Sequence, residues 1–68
     1  MTLQSVVFHK DKWTKEKAIE WLKSHNKKYP KVDETEDSYR FRQISPKGFT
    51  KFRSLPNKKI GITFVFGY

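Results

Sequence analysis

The stretch VVFHKDKWTKEKAIEWLKSHNKK, Val6–Lys28, changes its hydrophobic period partway along. Val6 and Phe8 alternate with Val7 and His9, the two-residue period of a strand whose side chains point to opposite faces. The run LQSVVFHK, Leu3–Lys10, therefore reads as a first strand. From Thr14 onward the period is helical. Ala18, Trp21, Leu22 and His25 form one stripe with Ile19 at its edge, while Lys17, Glu20, Lys23 and Ser24 lie opposite. Thr14 is a good N-cap, and Glu16 in the first turn suits the positive end of the helix dipole. Lys17 at the third helical position rules out a capping box, but Trp13 and Ala18 have the spacing of a hydrophobic staple. Asn26 suits a C-terminal cap, and Lys27 and Lys28 suit the negative end of the dipole. The spacing predicts a helix over 14–25, and Pro30 ends any continuation.

Beyond Pro30 the chain reads as strands again. KYPKVDETEDSYRFRQIS, Lys28–Ser45, folds into a hairpin when the turn is centred on Glu36 and Asp37. That register sets Val32 opposite Phe41, Asp33 opposite Arg40 and Lys31 opposite Arg42. Apolar then meets apolar on one face and acid meets base on the other, and a slip of one residue breaks both matches. The segment PKGFTKFRSLPNKK, Pro46–Lys59, is punctuated by Pro46, Gly48, Pro56 and Asn57. Ser45-Pro46 is expected to open one short helical turn that buries Phe49 and Phe52. IGITFVFG, Ile60–Gly67, is the strongest strand signal: Ile60, Ile62, Phe64 and Phe66 alternate with Gly61, Thr63, Val65 and Gly67.

The order is β-α-β-β-β, an α+β fold with one helix packed on an antiparallel-rich sheet, in a single domain spanning residues 1–68. The expected core is Val6, Phe8, Ala18, Ile19, Trp21, Leu22, Phe41, Ile62, Phe64 and Phe66. One short helix covers one face of such a sheet. The opposite face is expected to show Val7, His9, Arg40, Arg42, Thr63 and Val65, mixed basic and apolar.

Composition bounds what such a domain can do. A chain of 68 residues buries only about 60% of its unfolded surface. Six Phe, three Tyr and two Trp compensate, and most of them belong to the core. With no cysteine, neither a disulfide nor a thiolate metal site supplements it, which fits a reducing compartment. No apolar run has the length of a membrane span, and no secretory signal precedes the first strand. The Met1 start fits a complete small reading frame or one excised domain. Fifteen Lys and Arg against seven Asp and Glu leave a net charge of +8. Four of the acids lie in DETED, Asp33–Asp37, so the rest of the surface is strongly basic and favours polyanions. The competing role for that charge is solubility.

The chemistry of sites points away from an enzyme. The two histidines are His9 on a strand and His25 on the helix stripe, where a packed or capping role is expected. There is no cysteine nucleophile, and no serine has a base nearby in sequence. DETED lacks the residue order of a calcium loop, so no metal is expected there; local charge balance across the hairpin is its expected role. Gly48, Gly61 and Gly67 form no phosphate loop, no cofactor is expected, and the final strand lacks the basic-Gly-aromatic opening of an RNA-recognition strand. The function best matched is nucleic-acid binding, with DNA favoured. Candidate phosphate contacts are Lys10, Lys12, Arg40, Arg42, Lys47, Lys51, Arg53, Lys58 and Lys59, with Trp13 and Tyr68 as exposed aromatics. Of the two arginines in SYRFRQIS, Asp33 occupies Arg40, leaving Arg42 the better contact.

Several of these residues also carry a resemblance. Trp13-Thr14, Ala18 with Trp21-Leu22, Tyr39 to Gln43, Pro46 with Phe49, and Gly61 to Phe66 succeed one another across roughly residues 6–67. The pattern resembles a small domain that recurs in uncharacterised proteins of tailed phages and large DNA viruses, some of them larger structural or maturation proteins. The resemblance implies a viral origin, as a virion-associated or accessory protein located in host cytoplasm, nucleoid or virion. It brings no named activity, so it assigns no site residues. The second expected partner class is protein: viral structural proteins, or a second copy joined through the open sheet face or a sheet edge. No membrane partner is expected.

Overall fold

A computed structural model describes residues 1–29 and 31–68. Five strands and one helix run in the order β1 (Thr2–His9), α1 (Lys15–Ser24), β2 (Val32–Glu34), β3 (Ser38–Arg42), β4 (Phe52–Asn57) and β5 (Ile62–Gly67). The strands form one sheet in the order β2-β3-β1-β5-β4, and every neighbouring pair is antiparallel. The chain is thus one compact α+β domain, as its alternating periods predict, with one strand more than expected.

That strand is β4. The expected turn after Ser45-Pro46 forms but is not helical: Phe49 N–H donates to Pro46 O at 3.4 Å around Lys47 and Gly48, with Gly48 at φ 92°, and the rest of residues 43–51 is bends and irregular chain. Phe52 is exposed on β4, and only Phe49 of the expected pair is partly buried. Pro56, which argues against a strand, is tolerated because β4 is the sheet edge, where a missing N–H can face solvent. The final strand also starts later than its alternation implies. Residues 58–61 form the β4–β5 turn, leaving Ile60 exposed and Gly61 at φ 69°. A β-carbon on Gly61 would stand 2.9 Å from the Lys12 side chain, so the turn needs glycine for both conformation and space.

The hairpin register is the one that charge and hydrophobicity demand, with Val32↔Phe41 and Asp33↔Arg40 paired. Pairing stops at Val32, so Lys31 and Arg42 lie just beyond the ladder. The first strand is shifted by one residue, Thr2–His9, with a bulge between Leu3 and Ser5. Helix α1 starts after Thr14, whose Oγ1 accepts from the Lys17 N–H. It ends at His25 as C-cap, with Asn26 one residue beyond at φ 55°. Lys27 N–H donates to Leu22 O and Asn26 N–H to Lys23 O, the paired bonds of a Schellman ending. The helix stop read at Pro30 lies outside the described residues.

Val6, Phe8, Ala18, Leu22, Phe41 and Ile62 are fully buried between α1 and the sheet. Phe8 meets Trp13, Trp21 and Phe41 edge-on at 4.9, 5.7 and 5.6 Å. Ile19, Trp21 and Phe64 are only half-buried, and Phe66 is half-buried outside this cluster. Ten helical residues cannot roof a five-stranded sheet, so the β5–β4 side is covered least.

Val65 departs in the opposite sense. Alternation places it on the open face, yet it is only 6% exposed, and Ser5 beside it is fully buried. To join β3 to β4, residues 43–51 must pass β1 and β5, and they do so over the face away from α1. Gln4 at the bulge anchors the crossing. Its side chain donates to Ile44 O at 3.0 Å and accepts from Ser5 Oγ at 2.6 Å. Phe49 closes the far end, its ring lying where a Gly67 side chain would stand. The second sheet face is therefore half-roofed by irregular chain rather than fully open.

Candidate functional site

Alternation and pairing fix which residues share the face away from α1. Arg40 and Arg42 of β3 stand beside Val7 and Ser5 of β1, then Thr63 and Val65 of β5, then Pro56 and Ser54 of β4, with Phe52 paired to Gly67. Asp33 of β2 completes the row opposite Arg40. The expected face is thus assembled, with β4 added to it.

A depression of about 480 Å³ lies in this face, lined by Asp33, Arg40, Arg42, Pro46, Phe52 and Ser54, with Gln4 and Val65 beneath. Phe52 is 49% exposed and meets Phe49 edge-on at 5.8 Å. Among the described residues, neither arginine side chain makes a salt bridge or hydrogen bond; Asp33 is across the ladder from Arg40 but not within ion-pair distance. Two unpaired guanidinium groups and a half-exposed aromatic ring therefore surround one hollow.

A second depression, about 270 Å³, adjoins Arg42 on its other side. It is lined by Lys28, Lys31, Arg42, Gln43, Ile44 and Ser45, with three cations and no acid. Gln43 shapes it: its Oε1 accepts from Lys28 N–H and its Nε2 donates to Lys28 O, both at 2.8 Å. That reciprocal pair ties the link after α1 to the end of β3 and holds Lys28 beside Arg42. A third hollow, about 560 Å³, lies at the other end of the sheet. Its cations Lys10, Lys12 and Lys58 are offset by Asp11, Glu36 and Asp37, so it presents no net field of one sign. His9 lies in its wall, sharing a 2.7 Å hydrogen bond with Thr63 Oγ1.

The nine expected phosphate contacts are not brought together as one patch. Arg40 and Arg42 are. Lys10 is committed elsewhere: its Nζ is 2.8 Å from Glu34 Oε2 and 5.0 Å from the Tyr39 ring centroid. The hydrogen bond from Lys10 holds Glu34 below the usual carboxylate range, and the hydrogen bond to Glu34 holds Lys10 above the usual lysine range. Lys12 donates to Lys59 O and packs its stem against Gly61. Arg53, paired with Phe66, points to the helix side of the sheet. Lys47 and Lys51 lie on the 43–51 crossing, and Lys58 and Lys59 on the β4–β5 turn. Of the expected aromatics, Tyr68 is exposed, but Trp13 is half-buried and donates from Nε1 to Ile60 O at 2.6 Å.

Phe52, Lys28 and Lys31 are absent from the sequence-based set. For the lysines a signal exists: a register that puts Lys31 across from Arg42 concentrates like charges at one place. Phe52 is hidden because Pro56 interrupts the strand pattern that would place it on a face.

His25 stacks on Trp21 at 3.9 Å, and its Nδ1 lies 2.8 Å from Trp21 O, so it finishes the helix. Among the described residues, no three His, Asp or Glu side chains gather as a metal-ligand set, and no helix is long and apolar enough to cross a membrane. Comparison with protein-family models, with curated proteins and with solved structures finds no match to this chain.

Proposed function

We propose that this domain is a small non-enzymatic binding module that holds nucleic acid against the sheet face away from α1. The observation that carries this function is the hollow where Arg40 and Arg42, neither of them neutralised by an ion pair, stand with half-exposed Phe52. Guanidinium groups suit phosphate geometry, and an aromatic ring among them suits a base. The net charge of +8 supplies long-range attraction to a polyanion. A viral setting, as a virion-associated or accessory protein, rests on the resemblance alone.

The test is a labelled short DNA oligonucleotide titrated at low and moderate salt. Arg42→Glu should weaken binding most, because Arg42 lines both basic hollows. Arg40→Glu should weaken it less, because Asp33 stands opposite, and Arg53→Glu, on the other face, should weaken it least. No binding at low salt, or three equal losses, would remove the proposed site.

A protein interface is favoured by a different observation. Leu55 and Ile60, 38% and 43% exposed, lie near the bare β4 edge, as does Phe52. The part of the open face where Val65 is expected to be sticky is already roofed, which counts against a partner there. Light scattering discriminates: a monomer supports nucleic-acid binding, and a stable oligomer that covers Arg42 opposes it.

A further inference from the structure

We infer that the ligand of this face is an extended single strand of nucleic acid, running from the Lys28, Lys31 and Arg42 hollow into the hollow that Arg40 flanks, to a base stacked on Phe52. This deepens the nucleic-acid proposal and rests on it. The geometry that points to it is the sharing of Arg42. One guanidinium lines both the three-cation hollow and the hollow that holds the aromatic ring. The two hollows are therefore consecutive positions on one track rather than separate patches.

Their linings differ in the way a strand's parts differ. The smaller hollow has Lys28, Lys31, Arg42 and the Ser45 side chain or backbone, and no carboxylate, which suits a phosphate. Its cations are not all on floppy chain, because the Gln43 amide pins the Lys28 backbone from both sides. The larger hollow has the ring of Phe52, with Phe49 edge-on behind it, which suits the flat face of a base. In a duplex the bases are stacked on one another and turn only their edges outward, so Phe52 would have nothing to stack on. Pro46 of the crossing lines the same hollow beside Phe52. Single-stranded DNA and RNA share this chemistry, since nothing in either hollow singles out the sugar.

The experiment measures fluorescence anisotropy of the full chain with oligothymidylate and oligouridylate of about ten nucleotides, a length within the range that small single-strand binders occupy. A duplex of the same length and inorganic polyphosphate are the comparison probes. At equal salt, one or both single strands should bind about tenfold tighter than the duplex or polyphosphate. Phe52→Ala should weaken single-strand binding by about 5- to 150-fold, the usual cost of one lost base stack, and leave duplex binding unchanged. Phe52→Leu keeps an apolar side chain beside Phe49 but has no ring face, so it should show the same loss with the fold intact by circular dichroism. The double change Lys28→Glu with Lys31→Glu should weaken the single strands as well. Equal affinity for single strand and duplex, or indifference to both Phe52 variants, overturns the single-strand assignment and leaves nucleic-acid binding standing. Failure of every probe at low salt overturns both.

Discussion

Gly67 has no room for a side chain. A β-carbon there would lie 2.5 Å from Cγ of Phe49, closer than real atoms approach, so the ring and the glycine are one packing unit. Gly67→Ala forces Phe49 outward and uncovers Val65 and Ser5, which the 43–51 crossing now shelters. Such overpacking typically costs about 1–3 kcal/mol, a large fraction of what a domain this small has to lose. Urea denaturation should show the midpoint falling by a corresponding amount, whereas an alanine at Gly48, with open space around it, should cost only its backbone strain at φ 92°. Nothing in the alternation of IGITFVFG distinguishes Gly67 from Gly61. Gly67 owes its need for glycine to Phe49, far away in sequence, and Gly61 to Lys12 as well as to its own φ of 69° in the turn.

The elements are legible where their signals are local. Thr14 caps α1 because a hydroxyl three residues before an N–H can reach it, and that holds in any fold. The β2–β3 register is legible because Val32 with Phe41 and Asp33 with Arg40 admit one alignment. At the other end of α1, Asn26 takes the left-handed conformation that its Schellman ending requires. Asn26→Gly should therefore hold or slightly raise stability, and Asn26→Val should lower it by about 1–2 kcal/mol. A thermal melt resolves this, since each kcal/mol moves the midpoint of so small a domain by about 4–8 °C. β4 is not legible, because its residues are all exposed and carry no buried alternation, and because Pro56 reads as a strand breaker until the strand is known to be an edge. The crossing is not legible either: its short polar links look like any turn, and only the sheet order makes it span two strands.

At the scale of the whole molecule, net charge and local geometry make different claims about salt. A diffuse basic surface would engage most of its cations at once, whereas the proposed track uses Lys28, Lys31, Arg40 and Arg42. For a single strand, affinity falls with salt at a log–log slope of about −0.7 per neutralised phosphate, so this track implies a slope of roughly −3. Arg42→Glu should make that slope shallower by about 1. A much steeper slope, unaffected by the change, would return the binding to the surface as a whole. By itself the sequence determined the α+β class, the helix and its N-cap, the hairpin register and the basic surplus, because each depends on neighbours within a few residues or on composition. Only the tertiary structure decided where the charge is concentrated. It sends Lys10 to Glu34, turns Arg53 to the other face, brings Lys28 and Lys31 to Arg42, and leaves Phe52 half-exposed beside them. The physical reason is that a site depends on which strands become neighbours. Here β3 and β4, consecutive in sequence, are separated in the sheet by β1 and β5, and the chain between them lies across the face they share.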